Sequence, residues 1–105
     1  NYSSDTINSY THSIKKEILP AVEDQRWDES KDLMKSLNKD WHKYKKTALL
    51  FLDTRTVNEI DYSLARAIKY VEAEDVSNAS GELNSIIEQL SFLKKNDEVS
   101  AANIL

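Results

Sequence analysis

Apolar residues recur at three- and four-residue intervals through most of the chain, the period of a helix with one face in a core. Ile7, Tyr10, Ile14, Ile18 and Ala21 form the first such stripe, and Ser3, Ser4 or Asp5 can cap its start. The second stripe is Trp27, Ser30, Met34, Leu37, Trp41, Tyr44, Ala48 and Phe51, an unbroken heptad series. Val57, Ile60, Leu64, Ala67, Ile68 and Val71 make the third, and Val76, Ala79, Leu83, Ile86, Leu90 and Leu93 the fourth. These stripes predict helices over about 5–23, 27–52, 57–74 and 76–95, followed by a tail over 96–105. Thr56 and Glu59 read as a capping box for the third helix, and Asp75 as the N-cap of the fourth.

Two positions disturb the pattern. Pro20 lacks an N–H and its ring crowds the carbonyl of Lys16, so a kink or early stop is expected there. Gly81 falls inside the fourth helix on the side away from its stripe. The polar run Asn96-Asp97-Glu98 ends the last pattern, and Ile104 and Leu105 could fold back as part of the tail.

The second and fourth stripes are related. A shift of 49 residues lays Trp27 on Val76, Ser30 on Ala79, Met34 on Leu83, Leu37 on Ile86, Trp41 on Leu90 and Tyr44 on Leu93. Val22-Glu23, just before the turn, falls on Val71-Glu72. The chain therefore reads as one helical hairpin written twice. Short connections imply antiparallel neighbours, so the expected fold is all-α, an up-down antiparallel four-helix bundle built from two repeated hairpins. Stacked hairpins, as in helical-repeat proteins, are the alternative, but two units are fewer than such stacks need. The expected core anchors are Trp27, Met34, Leu37, Trp41, Tyr44, Leu64, Val71, Leu83, Ile86 and Leu90.

Composition narrows the partners. One Gly and one Pro in 105 residues suit a few long helices and not a sheet, which needs a turn at every hairpin. A net charge of −4 argues against nucleic acid, which wants a basic face. With no cysteine, disulfide and thiolate chemistry do not arise. The longest apolar run, Ala48 to Leu52, is far short of the ~20 residues of a membrane span. The chain opens on Asn1 rather than Met, the mark of a processed precursor or a truncated chain, and a removed anchor is a common cause.

Candidate chemistry is sparse. A di-metal bundle needs Glu-x-x-His pairs, but Ser9 precedes His12 by three residues and Lys39 precedes His42. Glu17 alone among carboxylates falls near a stripe. The run His12-Ser13-Ile14-Lys15-Lys16 resembles the motif of histidine phosphotransfer domains but lacks the Gly that follows the Lys there. The serines sit at caps and solvated faces without an oxyanion loop. No cofactor, metal site or catalytic group is expected, and the chain reads as non-enzymatic. Lys43, Lys45 and Lys46 form a basic cluster that suits a solvated face or an anionic membrane surface. Phe51, Leu52, Phe92 and Leu93 are the candidate interaction patch.

Larger motifs carry a resemblance. Trp27-Asp28-Glu29-Ser30, Leu33, Leu37, Trp41-His42-Lys43-Tyr44, Asn58-Glu59-Ile60-Asp61, Leu64-Ala65-Arg66, Ala73-Glu74-Asp75 and the ending Asn103-Ile104-Leu105 resemble domain of unknown function family 4363. The resemblance runs from about Ile14 to Leu105. It implies a small bacterial protein, mostly from Firmicutes, with an N-terminal membrane anchor ahead of an extracytoplasmic helical domain. No activity comes with it, so no site residue is carried over. A structural or protein-interaction role is the leading expectation, with an unidentified protein partner. A soluble helical-hairpin adaptor that binds a peptide or partner helix is the alternative.

Overall fold

In a computed structural model the backbone is described for residues 2–104 and the side chains for residues 3–99. Among the described residues every element is helical. α1 (Tyr2–Ser13) runs through a π-helical segment (Ile14–Ile18) into α2 (Leu19–Glu23). α3 (Trp27–Phe51), α4 (Thr54–Glu72) and α5 (Val76–Ile104) follow. The molecule is a rod with extents of 46 × 21 × 20 Å.

Pro20 neither stops nor sharply breaks the first helical run. The turn before it widens instead, and the N–H of Leu19 reaches back to the carbonyl of Ile14. A π turn moves backbone away from the space that the proline ring must take, and places Pro20 in the first turn of a fresh α-helix, where no N–H is required. The extra residue also shifts the buried face, so that Ile18 and Leu19 both turn inward beside Ala21 and Val22. Ser3, Ser4 and Asp5 lie within α1 rather than capping it.

The repeat is written in the backbone of the turns. In the first turn the N–H of Arg26 donates to Ala21 O at 2.8 Å and that of Gln25 to Val22 O at 3.0 Å. In the second the N–H of Asp75 donates to Tyr70 O and that of Glu74 to Val71 O, both at 3.0 Å. Gln25 and Glu74 hold the same left-handed conformation, with φ of 57° and 56°. Both turns are therefore Schellman endings with a left-handed residue, in which the last carbonyls of one helix find donors beyond it. Every one of these pairs differs by the same 49 positions that relate the stripes. The copies differ at the cap that follows. Asp75 accepts from the N–H of Asn78 at 3.1 Å, while Arg26 makes no side-chain cap and instead pairs with Glu29.

Between α3 and α4 the link is shorter. Leu52 is extended, and Asp53 caps α4 by accepting from both the N–H and the hydroxyl of Thr56, at 3.0 and 2.6 Å. Thr56 is thus the capped residue and not the cap, and α4 starts three residues earlier than its apolar stripe. Lys31 meets Glu74 while Trp41 and Lys45 meet Asp61, so α3 and α4 run antiparallel. Ser63 with Gln89 and Arg66 with Glu82 set the same opposed direction for α4 and α5.

Along the axis the stripes close on one another. Met34, Leu37, Trp41, Tyr44, Leu64, Val71, Leu83, Ile86 and Leu90 are buried. Ser30 and Ala79, matched by the repeat, are both fully buried small residues. Trp27 differs from the expected anchor: it lies half-buried against the core, as does its counterpart Val76. Position N1 of a helix that follows a tight turn covers the end of the core, and one side of the ring stays in water.

α5 does not stop at Asn96. It continues as helix to Ile104, because Asn96-Asp97-Glu98 supplies no Gly or Pro to break it. The expected tail is therefore helical over 96–104; the side chains of Ile104 and its neighbours, and Leu105 altogether, lie outside the described residues. Gly81 is exposed inside α5, and a Cβ built on it would meet nothing within 4 Å. Gly81→Ala should raise stability by about 1 kcal/mol through lower backbone entropy in the unfolded chain. A chemical melt showing no gain would mean that α5 is not helical there in solution.

Candidate functional site

The side chains that chemistry would need are scattered over the surface. His12 closes α1 and is exposed, and Glu17 is exposed on the π segment. His42 is exposed on α3, with Nδ1 2.8 Å from Asn38 O and Nε2 3.7 Å from Asp61 Oδ1. Among the described residues no three His, Cys, Asp or Glu side chains gather as a metal would require. No described helix is long and apolar enough to cross a membrane.

Asp61 of α4 is the best-connected polar group. Its Oδ1 accepts from Trp41 Nε1 at 3.1 Å, and its Oδ2 from Lys45 Nζ at 2.7 Å. Burial by itself would push this carboxyl up, but the hydrogen bonds from Lys45 and Trp41, with the charges of Lys45 and His42, outweigh it and hold the group below its ordinary value. The role is to fix Trp41. Tyr10 and Tyr44 flank the same indole with ring centroids 6.2 and 6.3 Å away, and the Tyr10 hydroxyl donates to Asp40 O at 3.1 Å. Tyr10 meets both other rings edge-on while Trp41 and Tyr44 are tilted, and an aromatic cluster of this kind adds specificity to packing.

A pH dependence follows. Asp61 is ionised more readily in the folded chain than its ordinary 3.8, so its stabilising contribution is present at neutral pH and is lost as pH falls through the lowered value. Asp53 and Asp75 at their caps are shifted the same way, each by hydrogen bonds from the residue it caps. Asp61→Ala should cost about 1–2 kcal/mol at pH 7 and should flatten the loss of stability below pH ~4. Equal melts of variant and parent at pH 7 would remove Asp61 from this role.

The second feature is apolar. Among the described residues the exposed large hydrophobic side chains are Leu49, Leu50, Phe51, Tyr62, Phe92 and Val99. All but Tyr62 lie toward the end of the rod that carries the α3–α4 link. Two members of the expected patch are not on this surface. Leu52 and Leu93 are buried, Leu52 as the extended link residue that joins the core cluster, and Leu93 because it continues the core stripe of α5. Phe51 and Phe92 are 74% and 54% exposed, and each borders an open groove at this end. The groove beside Phe92, about 490 Å³, is otherwise polar, with Asp53, Arg55, Glu59 and Glu88 on its walls.

Leu50 and Val99, 75% and 58% exposed, were absent from the sequence-based patch. The 49-residue shift pairs them, each six residues past Tyr44 and Leu93, the last aligned core pair. The basic cluster also divides. Lys45 turns to Asp61, whereas Lys43 and Lys46 stay exposed without an ion pair among the described residues.

A small space of about 10 Å³ lies among Tyr10, Ile14, Leu37, Trp41, Leu64 and Leu90, and its lining is apolar. That volume is on the order of one water, with no polar group to hold it. In comparison with known proteins, a family model described as Domain of unknown function (DUF4363) matches residues 1–104. No curated protein matches the chain. No solved structure matches it either.

Proposed function

The chain belongs to the DUF4363 family, and we propose that it is a non-enzymatic helical domain of a membrane-anchored bacterial protein, held on the extracytoplasmic side in a structural or protein-interaction role. Its architecture on this reading is an up-down four-helix bundle, with α1, the π segment and α2 as its first member. One observation carries the proposal. The two matched hairpins spend their aligned positions on an apolar core, while among the described residues the polar side chains form caps and inter-helix ties and gather into no metal-binding cluster.

The test begins with the gene's whole product in its own cell. Fractionation should place it with membranes, and protease added outside spheroplasts should cleave the helical domain. Recovery in the soluble cytosolic fraction would overturn the location. Incubation with a low-molecular-weight phosphodonor should leave His12 without acid-labile phosphate, and a stable phosphohistidine there would replace this reading with phosphotransfer. The adaptor reading predicts capture of a peptide or helix by the Phe51 and Phe92 surface from a soluble extract.

A further inference from the structure

The outward side of α3 changes character along its length. Asp28 and Asp32 open it, Lys35, Lys39, Lys43 and Lys46 continue it, and Leu50 ends it. The spacing puts all of them on the side away from Met34, Trp41 and Ala48, and all are exposed. None of these four lysines makes an ion pair among the described residues, unlike Lys31 and Lys45, which bind Glu74 and Asp61. The strip is a convex helix face of flexible ammonium groups, without an arginine to grip a carboxylate in a fixed geometry.

Beyond the last lysine stand Leu50 and Phe51, each about three-quarters exposed at the tip of the rod. Val99, the repeat partner of Leu50, is exposed at the same end. The opposite end, at the two Schellman turns, carries Glu23, Asp24, Asp28, Glu29, Glu74 and Asp75. Arg26 and Lys31 are already paired within that group. The molecule thus has an acidic pole and, at the other end, an apolar tip that a row of lysines without ion pairs approaches along α3, with Asp53 and Asp97 bordering it on the α4–α5 side.

From this arrangement we infer that the Leu50–Phe51 tip and the α3 lysine strip form a docking surface for an anionic lipid bilayer. Leu50 and Phe51 enter the interfacial layer, the lysines meet the headgroups, and the acidic pole is turned away. A planar, deformable, anionic surface suits a convex strip of flexible ammonium groups with a protruding apolar tip, since it needs charge complementarity and apolar insertion and no fixed side-chain geometry. The inference rests on this chain's own surface and needs no anchor, so its failure and the failure of the location proposed above are separable.

The chain of residues 1–105 is mixed with large unilamellar vesicles of phosphatidylcholine alone or with phosphatidylglycerol added, and sedimented. Binding is expected to the phosphatidylglycerol vesicles, weakening as salt shortens the Debye length below about 8 Å. The variant L50S/F51S should lose partitioning by roughly tenfold or more. K39S/K43S/K46S should lose a similar factor at low salt. All these side chains are exposed, and unchanged thermal melts confirm that each variant folds. In a separate variant, Phe51→Trp, the emission should shift to the blue and be quenched by brominated acyl chains.

No binding to phosphatidylglycerol vesicles overturns the inference, as does binding that L50S/F51S leaves intact. A dimer in analytical ultracentrifugation that L50S/F51S abolishes, without lipid binding, would assign the tip to a second copy instead.

Discussion

Replacing Trp41 by Ala should destabilise the chain by about 3–5 kcal/mol, the largest effect expected of any single side chain here. The indole is 2% exposed and sits where α1, α3 and α4 meet. Truncation removes its transfer free energy, leaves a void that rigid neighbours fill only in part, and deprives Asp61 of one donor. A domain of this size holds about 5–15 kcal/mol in all, so the variant should have a midpoint far below the parent's in urea. Trp41→Phe keeps most of the volume and loses the N–H, so it should cost about 1–2 kcal/mol. Trp27→Ala supplies the contrast. That ring is only half-buried, and its loss should stay near 1–2 kcal/mol. If Trp41→Ala costs less than Trp27→Ala, the register of α3 described here is wrong.

The difference between the two tryptophans marks how far the pattern of residues could be read. Both stand on one heptad series, and periodicity gives each the same face. What separates them is distance from the end of the helix. Trp27 follows the turn directly, and Trp41 lies mid-rod with Asp61 opposite. Stripes therefore made the helices and most of the core legible, and the shift of 49 residues made the hairpins legible down to the matched turns.

Features that depend on one residue's answer to a local conflict were harder to read. Pro20 could end, kink or widen its helix, and only the need to bury Ile14, Ile18 and Leu19 together favours the π turn. Asp53 and Thr56 compete for one capping role. Asp53 takes it because Leu52 is extended and leaves the aspartate poised over the N–H of Thr56. At the apolar end, adjacency misled: Phe51 with Leu52, and Phe92 with Leu93, are neighbours in sequence but point to opposite sides of the surface. The Asp61 node was invisible because a carboxylate 16 residues from its lysine, on another helix, leaves no spacing rule to find.

Leu90→Ala is the counterpart experiment in the second copy, and should cost about 2–5 kcal/mol. Leu90 is 1% exposed and holds on α5 the place that Trp41 holds on α3. The two do more than correspond, since both line the same cavity of about 10 Å³ together with Ile14 and Leu64. Their truncations should therefore couple. Once Trp41 is gone, the neighbours around Leu90 can relax into the space, and the second truncation removes contacts that are already loosened. The double variant should fall short of the sum of the singles by about 0.5–3 kcal/mol. Because two such losses could exhaust the stability of the parent, the cycle is best run with Trp41→Phe and Leu90→Val, or in a Gly81→Ala background. Additivity within error would mean that each copy of the hairpin packs on its own and that the two meet only at their edges. Coupling would mean that neither hairpin has a core without the other, the physical reason for a doubled unit that closes on itself.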